Sequence, residues 1–292
     1  MIYNIVYSTN SLYINFLSIS LYSLFENNSS NSITIHLLHS GLSKKKILYI
    51  ESIIKKFNSK IIFYKIDDNI FNDLKLTKSL PKEAYYRLLI PEVIKSSYIL
   101  YLDIDTIILG DITSLLNIDL NNYPVAAVKD FCNINHLNKI IPNNSSFYFN
   151  TGVMLLNLDK WRAENISNKV IDFIKCNTDL IRFADQCGIN AVINSNLLTL
   201  DPIFNFQLGI FKLKNNININ TQIILHYTSR KDFFNFYKFP KSSKNIFFNY
   251  YKKIDIFGFY KFLFLVFFYQ HIILHIYNIA KYIKKKLFFN NI

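Results

Sequence analysis

The chain is poor in cysteine, glycine and proline, with three, six and six in 292 residues. Three cysteines cannot build a disulfide framework, and Cys132, Cys176 and Cys187 show no C-x-x-C spacing. A reducing, cytoplasmic compartment is therefore expected. The low glycine and proline content excludes collagen-like and low-complexity classes. No internal repeat is present, which excludes solenoids. The opening MIYNIVYSTN lacks a basic region, and no small-residue cleavage site follows it, so no secretory signal is expected. Arginine is scarce too, at four of 33 basic residues.

Apolar and aromatic residues are plentiful. Half of the chain is hydrophobic, with 27 Phe and 20 Tyr, enough for a large core and incompatible with disorder. The net charge of +13 is unevenly spread. Residues 1–229 carry 21 Lys/Arg against 18 Asp/Glu, whereas residues 230–292 carry 12 against 2. Such asymmetry points to an anionic partner for the tail. Within it, residues 262–280 hold no formal charge, which meets the minimum length of a spanning helix. Yet His271, His275, Asn278, Tyr282 and Lys285 share one helical face. A polar stripe opposite an aromatic face, ending in Lys281, Lys284, Lys285 and Lys286, is expected to lie in the interface of an anionic membrane. A spanning anchor is the alternative. The charge sits in one segment without base-reading motifs, so nucleic acid is not expected as a partner.

Hydrophobic patterning predicts strands over 2–7, 32–38, 60–66, 97–102, 125–128, 146–156 and 222–227. It predicts helices over 12–25 with Ser11 as N-cap, 43–57 capped by Ser43, 81–93, 158–177 and 183–194. This alternation gives an open, mostly parallel α/β sheet with right-handed crossovers, followed from about residue 230 by the basic tail.

The chemistry centres on Asp103, Ile104 and Asp105, which follow the apolar run YILYL. Carboxylates two residues apart project to the same side of extended backbone. They stand at the carboxyl end of a strand, where open α/β sheets bind ligands. Two hard oxygen donors there suit a divalent cation carrying a diphosphate. A solvated acidic turn is the plainer reading of a bare D-x-D. The loop 8–13 has no Gly, Lys or Arg, which argues against a nucleotidyltransferase.

The block YLDIDTIILGDITSLLNIDL resembles the signature of the retaining glycosyltransferases of family 8. These include bacterial lipopolysaccharide galactosyl- and glucosyltransferases, and they have the GT-A fold. Six further blocks follow the family's order: IVYSTNSLYINFLSISLYSL, AYYRLLIPEVI, VAAVKD, FNTGVMLLNLDKWR, ADQCGINAVI and ILHYTS. The resemblance covers residues 3–230, so it implies a GT-A catalytic domain over 1–230 and a membrane-attaching basic aromatic tail over 231–292.

The resemblance implies a role for each matched residue. Ser8, Asn10 and Tyr13 would hold the uridine of a UDP-hexose, with Tyr13 stacked on the base. Asp103 and Asp105 would ligate Mn2+, with His226 as third protein ligand; an imidazole beside two carboxylates favours Mn2+ over the alternative, Mg2+. Ile104 belongs to the same donor loop. Arg87, Asp130, Asn150, Thr151, Asp185 and Gln186 would surround the donor sugar. Plainer readings stand beside these. His226 suits a strand end, Arg87 could pair with Glu83, Asp185 and Gln186 could cap their helix, and Tyr13 could be core. Trp161 and Arg162 read as packing and an ion pair.

The sequence departs from the family after His226, where Ser229 replaces a Gly and Asp232-Phe233 replace a Pro-Trp pair. Lys231 is the expected phosphate contact, with Arg230 as alternative. Asn10 stands where many members carry Asp. For retention of configuration, front-face attack is favoured, with Gln186 stabilising positive charge on the sugar; Asp130 and Asp185 are the nearby carboxylates. The expected activity is transfer of galactose or glucose from a UDP-sugar to a lipooligosaccharide or other surface glycan. It would take place peripherally on the inner face of the cytoplasmic membrane. A degenerate, non-catalytic UDP-sugar-binding protein is the alternative.

Overall fold

Strands β1 (Ile2–Thr9), β4 (Tyr98–Leu102) and β7 (Phe149–Asn157) are buried almost throughout. Cover on both faces is why they read as continuous apolar runs rather than alternating ones. A computed structural model describes residues 2–57, 59–74, 82–131, 140, 148–209, 218–228 and 241–255. The three strands lie at the centre of a seven-stranded sheet of order β3-β2-β1-β4-β7-β6-β8. Its outer members are β2 (Ser32–His39), β3 (Lys60–Lys65), β6 (Val125–Lys129) and β8 (Leu198–Thr199). β7 runs antiparallel between β4 and β6, and the other pairings are parallel. This is the open, mostly parallel α/β sheet that the alternation predicts.

Side chains alternate between two cores. Ile5, Leu100 and Leu155 face the side covered by α1 (Ile14–Asn27) and α2 (Lys44–Ile54). Val6, Tyr101 and Met154 face the side covered by α5 (Leu158–Ala163), α6 (Ile166–Cys176) and α7 (Asp185–Ile193). Two short helices precede these three, α3 (Ile90–Val93) and α4 (Thr113–Leu116). Trp161 donates its indole N–H to the Pro124 carbonyl at 2.9 Å, and Arg162 pairs with Asp159 at 2.7 Å. Both have the packing and ion-pair roles expected of them.

A second, three-stranded sheet of order β5-β10-β9 adjoins the main one. It consists of β5 (Thr106–Ile108), β9 (Phe206–Gln207) and β10 (Ile224–His226). Patterning predicts neither β5 nor β9. The apolar run that follows the D-x-D turn is β5, and it pairs antiparallel with β10 so that Thr106 lies opposite His226.

Several helices differ from the predicted ones. The N-terminal cap before α1 is Asn10, not Ser11: its side chain accepts from Leu12 N–H at the start of a 3-10 turn, Ser11–Tyr13. Ser43 stands at the N-cap of α2 without a side-chain cap bond. The helix predicted over 81–93 opens as a 3-10 segment, Lys82–Leu89. Pro91 has no N–H to give to residue 87, so an α-helix cannot run continuously through this region. The helix predicted over 158–177 is broken at Asn165, which sits in the left-handed region at φ 53°, a conformation that Asn tolerates better than most residues.

α8 (Lys241–Ile254) lies in the segment that the sequence assigns to the tail, yet it packs on α1. Phe247 and Tyr251 are buried against Tyr227 and Ile107. Tyr227 donates to the Ser243 carbonyl at 2.7 Å, and Asn15 and Asn27 donate to the Tyr251 and Tyr250 hydroxyls, both at 2.9 Å. The sequence boundary at residue 230 thus cuts a packed unit. Residues 256–292, with the predicted interfacial helix, lie outside the described residues. Among the described residues, no helix is long and apolar enough to cross a membrane.

Candidate active site

The turn after β4 carries Asp103 and Asp105. Asp103 N–H donates to the Gly152 carbonyl of β7 at 2.7 Å, and Thr106 N–H closes the turn onto the Asp103 carbonyl at 3.2 Å. The β5–β10 register brings His226 from 121 residues away. Its Nε2 lies 3.3 Å from Asp105 Oδ1 and 3.6 Å from Asp103 Oδ2. Ligand atoms of Asp103, Asp105 and His226 all lie within 4.8 Å of one another. Asp105 and His226 are buried and Asp103 is half-buried.

Arg87 reaches the same place from the last turn of the 3-10 segment. It is a buried charge, and a buried charge requires partners. Its Nη2 donates to Asp103 Oδ1 at 3.0 Å, its Nε lies 3.0 Å from Asp185 Oδ2, and its Nη1 donates to the Thr151 carbonyl. Glu83 is not its partner among these contacts. The guanidinium also stacks 4.3 Å from the centre of the Tyr101 ring. Tyr101 donates to Asp103 Oδ1 at 2.8 Å and shares a 3.0 Å bond with the Ser8 hydroxyl. Asp103 Oδ1 is thus taken by two protein donors, and Oδ2 is the oxygen that faces His226.

Gln186, Asp130, Asn150 and Thr151 form a second group. Gln186 Oε1 accepts from Thr151 N–H at 3.2 Å, Thr151 Oγ1 at 3.3 Å and Asn150 Nδ2 at 3.4 Å. Its Nε2 donates to Asp130 Oδ2 at 2.9 Å. Asn150 Oδ1 accepts from Gly152 N–H at 3.0 Å and from Asn205 Nδ2 at 2.9 Å. Asn205 Oδ1 lies 2.9 Å from His226 Nδ1. Two backbone N–H groups, of Thr151 and Gly152, can only donate. They fix which end of each amide is oxygen, and the direction then runs through the chain to His226. There Nδ1 carries a proton, and Nε2 is the ring nitrogen that faces the two carboxylates.

The electrostatics agree with this geometry. Burial lowers the His226 pKa, but Asp105 and then Asp103 outweigh it and raise it overall. A proton and a cation therefore compete for Nε2. Burial pushes Asp185 up to about 7 even though Arg87 acts in the opposite direction. The 3.0 Å contact with a permanently charged guanidinium keeps Asp185 within an ion pair. The donor set of two carboxylates and an imidazole nitrogen, all within 4.8 Å, fits a divalent cation.

Next to this cluster, Ser8, Asn10, Tyr13, Arg87, Asp103 and Ile104 line one pocket, with Thr9, Glu83, Ala84 and Tyr101. Asn10 Oδ1 is engaged in capping Leu12 N–H. Tyr13 rests partly on Phe16, with ring centres 6.2 Å apart. Among the described residues, the structure therefore brings the expected site residues to one place. Lys231, its alternative Arg230 and Ser229 lie outside the described residues.

The model of glycosyl transferase family 8 matches residues 4–231. The chain belongs to this family. It is 32% identical over 188 residues to General stress protein A of Bacillus subtilis, covering 62% of this chain and 66% of that protein. It is 26% identical over 225 residues to the lipopolysaccharide 1,3-galactosyltransferase of Salmonella typhimurium, covering 74% and 67%. It spans little more than half the length of some other curated relatives that it matches. Among solved structures, the galactosyltransferase LgtC in complex with donor and acceptor sugar analogues superposes with a TM-score of 0.71 at 22% identity, over 78% of this chain and 87% of that one. The likeness to LgtC establishes the family's GT-A fold for this chain.

Sequence reasoning missed three contributors. Tyr101 reads as a core aromatic within YILYL. Asn205 follows a short apolar turn and has no spacing that recruits it. Gly152 stands in a quoted block, but its role is steric: an added Cβ would collide with the His226 ring and lie 2.8 Å from Asp103 Oδ2. Gly152→Ala should displace the imidazole and weaken divalent-cation binding, measured by calorimetry, by roughly 10- to 100-fold, the usual cost of disturbing a ligand's support. Wild-type affinity in this variant would mean that the ring has room to move.

Proposed function

We propose that the protein is a retaining glycosyltransferase that moves a hexose, galactose or glucose, from a UDP-sugar to a lipooligosaccharide or other surface-glycan acceptor, with Mn2+ as cofactor. The observation that carries this reading is the Asp103–Asp105–His226 cluster at the carboxyl end of β4, beside the pocket lined by Ser8, Asn10 and Tyr13. The three residues would hold the cation, which when bound supplies Lewis-acid stabilisation of the departing diphosphate.

The remaining residues suggest how the sugar is handled. Arg87 and Tyr101 orient Asp103 and leave one of its oxygens for the cation. Asp185 is paired with Arg87 and Asp130 accepts from Gln186, so both nearby carboxylates are engaged by protein groups. Gln186 is an amide and a poor nucleophile. These engagements favour front-face attack, in which the acceptor hydroxyl adds on the side that UDP leaves and a UDP oxygen takes its proton. Gln186 Oε1 would face the positive charge that develops on the sugar ring, a form of electrostatic stabilisation that often dominates catalysis.

The reading is tested by incubating the protein with UDP-galactose, UDP-glucose or UDP-N-acetylglucosamine plus Mn2+ and following UDP release. Release from one of the hexose donors is expected, with loss of at least about 100-fold in Asp103→Ala and Asp105→Ala, since electrostatic groups of this kind contribute on that scale. Full release in either variant or in excess chelator would remove the metal from the reaction. Binding of UDP-sugar without release would favour the non-catalytic alternative.

Residues 256–292 are proposed to attach the enzyme peripherally to the inner face of the cytoplasmic membrane, where a lipid-borne acceptor would lie. Their lysines and the polar stripe from His271 to Lys285 support this. Salt screens Coulomb attraction, so an interfacial helix should be extracted by high salt or carbonate. Retention in the membrane pellet after both washes would instead identify a spanning anchor.

A further inference from the structure

We propose that Asn205 is a positioning residue for this site: it locks the tautomer of His226 and ties the metal-ligand cluster to the sugar-facing amides. The inference rests on the metal-dependent reading above. Asn205 is fully buried at the junction between the 3-10 turn Pro202–Phe204 and β9. Its two side-chain heteroatoms each bind a site residue, Oδ1 to His226 Nδ1 and Nδ2 to Asn150 Oδ1, both at 2.9 Å.

The orientation of this amide is forced. Gly152 N–H makes Asn150 Oδ1 an acceptor, and Thr151 N–H does the same for Gln186 Oε1. Asn150 therefore presents its oxygen to Asn205, which must answer with its NH2 and turn its oxygen to His226. His226 then donates from Nδ1, which leaves Nε2 as the nitrogen whose lone pair a cation can take. An amide turned the other way would require Nδ1 to accept. The proton would then sit on Nε2, between Asp103 Oδ2 and Asp105 Oδ1, where a cation needs the lone pair. Asn205 is not among the residues that line the adjacent pocket. It acts through His226 on one side and through Asn150 and Gln186 on the other.

Two substitutions separate these arms. Asn205→Ala removes both bonds. Asn205→Asp keeps an acceptor for His226 Nδ1–H but offers Asn150 an oxygen in place of an N–H. Mn2+ binding is followed by the electron paramagnetic resonance of free Mn2+ in the presence of UDP, and turnover by UDP release. Asn205→Ala should bind Mn2+ at least about tenfold more weakly. Asn205→Asp should bind it nearly as wild type while kcat falls by about tenfold or more, the range typical of displaced supporting groups. Equal behaviour of the two variants, either both like wild type or both impaired in binding and turnover alike, would overturn the assignment. If wild-type protein itself binds no Mn2+, the metal reading fails and the proposal falls with it. If wild type binds Mn2+ and Asn205→Ala binds it equally, only the role of Asn205 fails. A readout that needs no variant is the ¹⁵N spectrum of the His226 ring in metal-free wild-type protein at alkaline pH. The proton should be on Nδ1, and a proton on Nε2 would overturn the proposal.

Discussion

The site is organised around an excess of buried negative charge. Asp103, Asp105, Asp130 and Asp185 converge where β4, β6, β7 and α7 meet, and the buried guanidinium of Arg87 offsets only part of it. Carboxylates packed together away from water repel one another and lose hydration, so each needs a donor or a cation. Arg87 covers Asp185 and one oxygen of Asp103, and Gln186 covers Asp130. Asp103 Oδ2 and Asp105 Oδ1 lie opposite the Nε2 of His226. A divalent cation at that point would complete the charge balance. Without one, the two aspartates draw a proton onto His226, which accounts for its raised pKa.

The rest of the fold serves to hold that arrangement. The central strands end together, β5 returns to pair with β10, and α8 closes the face that supports them. Ala184 sits at φ 47° and ψ −124°, immediately before Asp185 and Gln186. That conformation is unfavourable for a residue with a Cβ and costs on the order of 1–3 kcal/mol. Ala184 is almost fully buried in the core beneath α7. Packing holds it there, at the start of the helix that carries Asp185 to Arg87 and Gln186 to Asp130 and Thr151.

Local features of the site were legible in the sequence, and long-range ones only through the family resemblance. Asp103 and Asp105 declare themselves, because an apolar strand followed by two spaced carboxylates is a pattern within one segment. His226 carries no such mark; its place depends on the register between β5 and β10. Arg87 has a sequence neighbour, Glu83, but the fold gives it Asp103 and Asp185. Asn205 and Tyr101 are ordinary residues in sequence and become part of the site only through contacts across the sheet. The elements follow the same rule. The strands of the large sheet other than the two-residue β8 are apparent from patterning, whereas the break at Asn165 and the 3-10 start before Pro91 depend on single residues. α8 has Ser243, Phe247 and Tyr251 at helical spacing, a buried face hidden by the lysines around it.

The central claim is that Asp103, Asp105 and His226 hold a cation through a deprotonated Nε2 while Nδ1 remains bound to Asn205. Anomalous diffraction at the manganese edge, from crystals grown with UDP and Mn2+, tests this directly. The account predicts a manganese peak bounded by Asp103, Asp105 and His226 Nε2, with His226 Nδ1 still within hydrogen-bond reach of Asn205. A peak elsewhere, or a His226 ring turned away from the two aspartates, would contradict it.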